Sequence, residues 1–254
     1  MLVPLNIPPG VYTNGTEYQS KGRNFDANLV RWQFGALGPM GGWRQRTTTT
    51  VSGKARRVIS WRDNNNQVWA AIGTNSHLYA MTAGGAVTDI TPSGLTAGRA
   101  DADTGAGFGT GLYGASTWGT PRTTSNAILD PASWSLDNYG ELLIATIKNG
   151  ATFSWDPDGG SGITARATIL SGAPTKSVMS IVSDRDRHLI ILGTETTIGS
   201  ASTQDKMFIR FSDQESLTDY TATSVNTAGS FRIDSGTKIV GAAKAKDYIL
   251  ILTD

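Results

Sequence analysis

Two carboxylates at alternating positions, Asp156 and Asp158, have the spacing best suited to binding a hard cation. They open the segment Asp-Pro-Asp-Gly-Gly-Ser, whose spacing matches the start of a calcium-binding loop. Such a loop also needs a bidentate glutamate further along, and this segment has none. Asp-Gly-Gly is a common turn sequence. The sequence therefore favours a hairpin turn here and predicts no metal ion.

A second candidate is the segment Ser-Leu-Asp-Asn-Tyr-Gly, in which Ser135 and Asp137 precede Gly140. It approaches a Ser-x-Asp-x-Gly turn box, but the glycine comes one residue late. Even a complete box is a turn-stabilising element, because its Ser and Asp oxygens accept hydrogen bonds from nearby backbone amides. We expect a plain hairpin turn at this position rather than a catalytic site.

The remaining reactive residue types are too isolated to form a catalytic constellation. His77 and His188 both sit at predicted strand starts, with no Ser or Asp at a recognisable catalytic spacing, and no Gly-x-Ser-x-Gly elbow occurs. The glycines between residues 105 and 111 neither follow a strand nor open a helix, so the dinucleotide-binding context is missing. The sequence predicts a protein that is not an enzyme and has no cofactor.

Composition places the chain among globular, strand-rich proteins. Its 254 residues include 39% hydrophobic residues, 30 glycines and no cysteine, which excludes disulfides and thiolate metal sites. No apolar run is long enough for a membrane-spanning helix. The first residues, Met-Leu-Val-Pro-Leu-Asn, lack the basic start and apolar core of a secretion signal, so we expect no export by that route.

The clearest structural pattern lies between Arg57 and Pro92. Four short runs rich in β-branched and aromatic residues are separated by Asn and Gly, as in successive antiparallel hairpins. In the first run, Ile59 and Trp61 should share one face, opposite Val58, Ser60 and Arg62. The second run is apolar on both faces, which is typical of a central strand covered on both sides.

Similar units recur along the chain. Each has a polar start, about five apolar residues and a Gly or Thr end, as in Gln-Val-Trp-Ala-Ala-Ile-Gly-Thr and Arg-His-Leu-Ile-Ile-Leu-Gly-Thr. Repeats of this length with four strands each predict β-propeller blades. We expect an all-β, propeller-like array of four-stranded antiparallel blades, with an irregular β-sandwich as the alternative. The expected blades span about 54–92, 132–170, 177–225 and 230–254.

The last blade is incomplete in this prediction. Its strands are expected to begin at residues 230–233 and to continue through 238–243 and 248–252, while residues 222–225 are assigned to the third blade. A propeller usually has at least four blades. The pattern therefore suggests that the natural chain continues beyond Asp254 or that the closing blade comes from elsewhere.

Residues 1–53 form a different region, an extended arm rich in Pro and Gly with one short strand expected at residues 27–34. Through Arg57 the chain carries eight Lys or Arg residues against two acidic ones, a net charge of +6, whereas the remainder carries 14 against 19, a net charge of −5. Aromatic residues alternate with the cations. This arm should bind either an acidic neighbouring subunit or DNA phosphates, and the acidic body favours the subunit. The residues expected to make this contact are Lys21, Arg23, Arg31, Trp32, Trp43 and Arg44.

A glycine-rich stretch at residues 93–122 separates the first two blades. Loops of this length without secondary structure are uncommon inside a compact domain and are often functional. We expect a protruding loop that reaches toward the propeller channel or a cell surface.

Several segments resemble virion structural proteins of tailed bacteriophages. They include Pro-Pro-Gly-Val-Tyr-Thr-Asn-Gly-Thr-Glu-Tyr at residues 8–18, Gly-Gly-Trp-Arg at 41–44, the Tyr-Gly to Pro-Arg segment at 113–122, Ile-Arg-Phe-Ser-Asp-Gln-Glu-Ser at 209–216, and the ending Leu-Thr-Asp. The nearest kind is the tail nozzle, or tail tubular protein B, type of short-tailed phages, whose known members are much longer. The resemblance implies a ring-forming tail component whose channel passes DNA, and it carries no catalytic residues.

The resulting expectation is a structural protein of the virion tail, assembled in the host cytoplasm as a ring of copies that contacts other tail or adaptor proteins. Non-specific contact with DNA in the channel belongs to the same picture. The alternative is a carbohydrate-binding or carbohydrate-degrading propeller. Its stacking platforms would be Trp118, Trp134 or Trp155.

Overall fold

The computed structural model describes residues 8–102, 130–159 and 164–254. The chain divides into two compact units, Met1–Arg46 and Thr47–Asp254. The boundary expected from the sequence, between residues 53 and 54, falls a few residues further along. Most of the predicted protruding loop and all of the 105–111 glycine run lie outside the described residues.

The first unit contains a β-hairpin where the sequence indicated a single strand. Strand β1 (Val30–Gln33) pairs antiparallel with β2 (Ala36–Pro39). Phe34 and Gly35 connect them with φ angles of 53° and 76°. Two successive positive φ values are typical of the tight two-residue hairpin turn, but Phe rarely adopts that conformation. The second strand was missed for this reason.

The second unit begins with a four-stranded antiparallel sheet in the order β3 (Ala55–Arg62), β4 (Val68–Thr74), β5 (Leu78–Thr82) and β6 (Val87–Asp89). The predicted alternation in β3 is confirmed, since Trp61 is buried and Ile59 half-buried while Val58 is exposed. The central strand β4 buries Trp69 and Ala71 on the same side of the sheet. Hydrophobic periodicity of two thus sets the orientation of this sheet.

Two more sheets have the same antiparallel order. The second consists of β7 (Trp134–Tyr139), β8 (Leu142–Ile147), β9 (Thr152–Trp155) and β10 (Thr168–Ile169). The third consists of β11 (Met179–Val182), β12 (Leu189–Leu192), β13 (Phe208–Phe211) and β14 (Gly229–Arg232). The Asn149-Gly150 turn predicted between β8 and β9 is present, with Asn149 at a φ of 59°.

The assignment of the last strands needs correction. Residues 222–225 are irregular, and β14 pairs with β13 as the outer strand of the third sheet instead of opening a fourth blade. The third sheet therefore extends to Arg232. Gly229 explains this placement, because a Cβ atom there would lie 2.4 Å from the Phe211 ring. Only β15 (Ile239–Lys244) and β16 (Ile249–Thr253) remain, as a two-stranded sheet.

Successive sheets pack against one another through their first strands. Strand β3 contacts β7, β7 contacts β11, and β11 contacts β15. Between the first two sheets, Trp155 packs edge-on against Trp69, with ring centroids 5.4 Å apart, and against Trp61 at 6.3 Å. Such aromatic pairs add about 1 kcal/mol each beyond the area they bury. The second unit is thus an all-β, propeller-like array of antiparallel blades that is incomplete at β15 and β16.

Candidate functional site

The arm residues selected from the sequence are largely exposed but do not converge on one point. Arg31 and Trp32 are neighbours on β1 and therefore point to opposite faces of the hairpin. The Arg23 guanidinium lies 5.4 Å from the centre of the Tyr12 ring. Trp43 is fully exposed. The remaining members, Lys21 and Arg44, are also exposed, so the six offer a dispersed cationic and aromatic surface.

Ser135 and Asp137 are not in a turn, which corrects the prediction. Both lie within β7, and only Gly140, at a φ of 61°, forms the turn that follows. Their side chains reach the next sheet instead. The Ser135 hydroxyl donates to the carbonyl of Ser180 at 2.5 Å, and the Asp137 Oδ2 accepts from the backbone N–H of Val182 at 2.7 Å. Two polar residues of one blade therefore join the first strand of the next.

Asp137 is also connected to the last two strands. The Lys244 ammonium lies 2.9 Å from Asp137 Oδ1 and 3.0 Å from Asp184 Oδ1. Asp137 is buried, whereas Asp184 is exposed. One carboxylate thus receives hydrogen bonds from both the third sheet and the β15–β16 pair. Sequence analysis missed Lys244, because no short-range pattern relates it to a residue in β7.

The Asp156 and Asp158 carboxylates are used by local structure. Asp156 Oδ1 accepts a hydrogen bond from the backbone N–H of Asp158 at 2.9 Å, and Asp158 Oδ2 accepts from the Asn65 amide at 2.5 Å. An aspartate that bonds to the amide two residues ahead is the usual device of an Asx turn. Within the described part of the chain, no three His, Asp or Glu side chains are grouped closely enough to hold a metal ion.

The two histidines have structural partners that the sequence did not reveal. The Ser76 hydroxyl lies 2.8 Å from His77 Nδ1, and the His77 ring stacks on Tyr79 with centroids 5.6 Å apart. Burial would raise the pKa of nearby Asp89, but hydrogen bonds from Thr91 and the charges of Arg166 and His77 outweigh it and lower that pKa below 3.8. The Asp89 carboxylate thus serves the Thr91 turn rather than a Ser-His relay.

His188 has a different environment, at the start of β12. Its Nδ1 lies 2.8 Å from the carbonyl of Ser212, and its ring packs edge-on against Phe211 at 6.0 Å. Because a carbonyl only accepts hydrogen bonds, Nδ1 carries the proton in this contact. His188 therefore ties β12 to the end of β13.

Trp134 and Trp155 are core residues, which corrects their proposed role as stacking platforms for sugars. Both are almost fully buried, and each indole N–H donates to a backbone carbonyl: Trp134 to Thr74 at 2.7 Å and Trp155 to Ala165 at 2.9 Å. Their ring faces are covered by protein. The third candidate, Trp118, lies outside the described residues.

The most open surface of the second unit lies between the third sheet and the β15–β16 pair. A cleft of about 480 Å³ separates them. Ile190 and Phe211, which are cross-strand partners, lie against it together with Ile249. The exposed ring of Tyr248 lies at its edge. Five charged residues surround these groups: Asp184, Arg185, Asp186, Lys246 and Asp247.

The far face of the β15–β16 pair is apolar as well. Ile249 and Ile251 pack into a core with Ile181, Leu192 and Ile209, whereas Leu250 and Leu252 point away and are each about half exposed. In β12, by contrast, Leu189, Ile191 and Leu192 are completely buried. A strand of the same apolar character is thus covered in the third sheet and half open in the last.

Comparison with known proteins identifies no relative: no family model, curated protein or solved structure matches this chain. The described residues also contain no helix of the length and apolarity that a membrane crossing requires.

Proposed function

We propose that this protein is a structural component of a bacteriophage tail, a ring at the end of the tail tube that acts in virion assembly and in DNA passage and ejection, without catalysis. The observation that carries the proposal is the pairing of a propeller-like body with an exposed cationic and aromatic arm. Together with the resemblance of several segments to tail nozzle proteins, these features suit a protein whose work is done through many subunit contacts.

The arm supplies the contact with a neighbouring subunit or adaptor. Trp43 and Phe34 are fully exposed, and large apolar side chains in that state usually mark an interaction surface. The basic arm and acidic body have opposite charge, which favours association of one copy with another. The same cations allow weak, non-specific contact with DNA phosphates in the channel.

The polar contacts of the described residues agree with a non-catalytic role. The two histidines, the Ser135 and Asp137 pair, and the Asp156 and Asp158 pair each hold backbone or neighbouring strands together. The carbohydrate-binding alternative has lost two of its three platforms, since Trp134 and Trp155 are buried. No other observation in the described chain favours it.

The test is to look for the protein in virions. Peptide mass spectrometry of purified phage particles should detect it, and native mass spectrometry of the isolated protein should show a closed ring. Absence from particles, together with a strictly monomeric protein, would exclude the proposal. A glycan array and a hydrolysis screen on the same sample test the carbohydrate alternative, for which we expect no signal.

A further inference from the structure

We propose that the β15–β16 pair is an acceptor sheet, which the β1–β2 hairpin of a second copy completes to four strands. This inference deepens the proposed function and rests on it, since it assumes that copies meet in an assembly. It names the residues through which they meet.

The acceptor lacks the neighbour that every equivalent strand has. Strands β4, β8 and β12 each pair on both edges, whereas β16 pairs only with β15 among the described residues. Its segment Tyr-Ile-Leu-Ile-Leu-Thr, residues 248–253, contains no charge, proline or bulge. An unprotected apolar edge of this kind is a template for pairing with another strand.

The seam between the first two sheets shows what kind of strand fits beside β16. There the third strand of the second sheet, β9, supplies Trp155, which packs against Trp69 in the second strand of the first sheet. The corresponding place beside β16 is the cleft next to Ile190 and Phe211. The missing element is therefore an extended strand that carries a large aromatic side chain.

The β1–β2 hairpin has these properties. It is a two-stranded sheet, which is at best marginally stable without further packing. Phe34 at its tip is 97% exposed, and Leu37 in β2 is about half exposed. Two strands added to β15 and β16 produce the four found in each of the other three sheets of the second unit. This is recognition by addition of strands to a sheet edge.

Charge supports the same pairing. Residues 27–46, which include the hairpin, contain three arginines and no acidic residue. The cleft is bordered by three exposed aspartates, Asp184, Asp186 and Asp247, against two cations, Arg185 and Lys246. A donor with only positive charge meets a border with a net negative charge, which favours this orientation of the two copies.

Donor and acceptor are different surfaces, so the contact is head-to-tail. Interfaces of this type close into rings when the rotation between copies permits. The inference thus links the open end of the body to the ring expected for a tail component. It also predicts that the two surfaces can be disabled separately, in different copies.

The experiment uses full-length chains with one surface blocked in each. The donor-blocked variant carries Phe34→Ser and Leu37→Lys, and the acceptor-blocked variant carries Leu250→Lys and Leu252→Lys. All four side chains are about half exposed or more. The matched control, Val225→Lys, changes an apolar residue that is 93% exposed in an irregular segment. Circular dichroism verifies that each variant folds, and Leu252→Lys alone replaces the acceptor-blocked double variant if it does not.

Native mass spectrometry and analytical ultracentrifugation measure the outcome. We expect the wild type and the control to associate equally and each blocked variant to associate at least about tenfold more weakly. An equimolar mixture of the two variants should form a one-to-one dimer and nothing larger, because one intact donor and one intact acceptor remain.

Other outcomes overturn the inference. A donor-blocked variant that associates like the wild type indicates edge-to-edge pairing of two β16 strands, and a mixture that stays monomeric excludes the head-to-tail contact. A monomeric wild type also excludes it. If both variants still form rings and enter particles, the tail function stands and this contact fails. If the mixture dimerises but the protein is absent from particles, the contact stands and the tail function fails.

The absence of cysteine permits a second test. A Leu252→Cys chain mixed with a Leu37→Cys chain should form a disulfide-linked heterodimer under mild oxidation, whereas a Val225→Cys chain should not cross-link to either. Equal cross-linking of the control would show random collision and contradict the proposed contact.

Discussion

The Lys244 ammonium lies 2.9 Å from the carboxylate of Asp137, although the two residues are 107 positions apart in the sequence. Asp137 is in the first strand of the second sheet and Lys244 ends β15, so the contact joins elements that have a complete sheet between them in the chain order. The same carboxylate accepts the Val182 amide of that intervening sheet. A single buried charge therefore connects three successive sheets of the array.

Replacing Lys244 with methionine should lower the free energy of unfolding by about 1–3 kcal/mol, because Asp137 would keep its charge in a buried site without its cation. Urea denaturation measures this change. Lys246→Met is the matched control, since Lys246 is exposed in the turn that follows β15, and it should change stability by less than about 0.5 kcal/mol. Equal effects of the two substitutions would show that the Asp137 contact does not stabilise the fold.

Tyr220 and Tyr139 should respond oppositely to removal of their hydroxyls. The Tyr220 hydroxyl is buried without a hydrogen-bond partner among the described residues, and this burial raises its pKa. Tyr220→Phe should therefore be neutral or slightly stabilising. Tyr139 donates to the carbonyl of Arg187 at 3.1 Å, so Tyr139→Phe should cost about 1 kcal/mol. Thermal unfolding of both variants checks the difference, and a larger loss for Tyr220→Phe would contradict it.

Gly73 permits the close approach of the first two sheets. A Cβ atom at this position would lie 2.6 Å from Cδ1 of Trp134, whose indole is buried and bonded to the Thr74 carbonyl. We expect Gly73→Ala to destabilise the protein by about 1–3 kcal/mol through overpacking. Gly84→Ala, where the nearest atom would be 3.7 Å away, is the control and should be close to neutral. Denaturant unfolding that shows no difference would indicate that the sheets can move apart without strain.

Asp254 connects the end of β16 to the start of β15 and should titrate at unusually low pH. Hydrogen bonds from the Thr237 hydroxyl and from the backbone of Thr237 and Lys238 lower its pKa from 3.8 to about 2. Because the folded pKa is below the unfolded one, the stabilising effect is complete above about pH 4 and is lost as pH falls toward 2. An NMR titration of the carboxylate measures this pKa directly.

The control for that titration is Thr237→Val, which removes the hydroxyl hydrogen bond but keeps the shape of the side chain. In this variant the pKa of Asp254 should move back toward 3.8. An unchanged pKa would mean that the Thr237 hydroxyl does not bind the carboxylate in solution.

Much of the fold could be predicted because its causes are local. The alternation of Ile59 and Trp61 with exposed neighbours, and the Asn149-Gly150 turn, each depend on residues within a few positions of one another. The second arm strand was missed because a Phe with positive φ has no recognisable signal. The final strands were grouped wrongly because the sequence does not state which neighbour an apolar strand will pair with.

The candidate sites could be predicted only in part. Asp156 and Asp158 occupy the expected kind of turn, but Ser135 and Asp137 looked like a turn and lie in a strand. Trp134 and Trp155 had the chemistry of sugar platforms and are buried, because the packing of neighbouring sheets determines which aromatic faces reach solvent. The open β16 edge became visible only when each strand's neighbours were known.

By itself, the sequence determined that this protein consists of short antiparallel strands in repeated units, preceded by a basic and aromatic arm. Those properties follow from residue types and periods of two, which act over a few positions. Only the tertiary structure decided that Asp137 meets Lys244, and that the apolar strand β16 keeps one edge unpaired. Contacts between distant segments depend on how sheets stack, and stacking is a property of the whole chain.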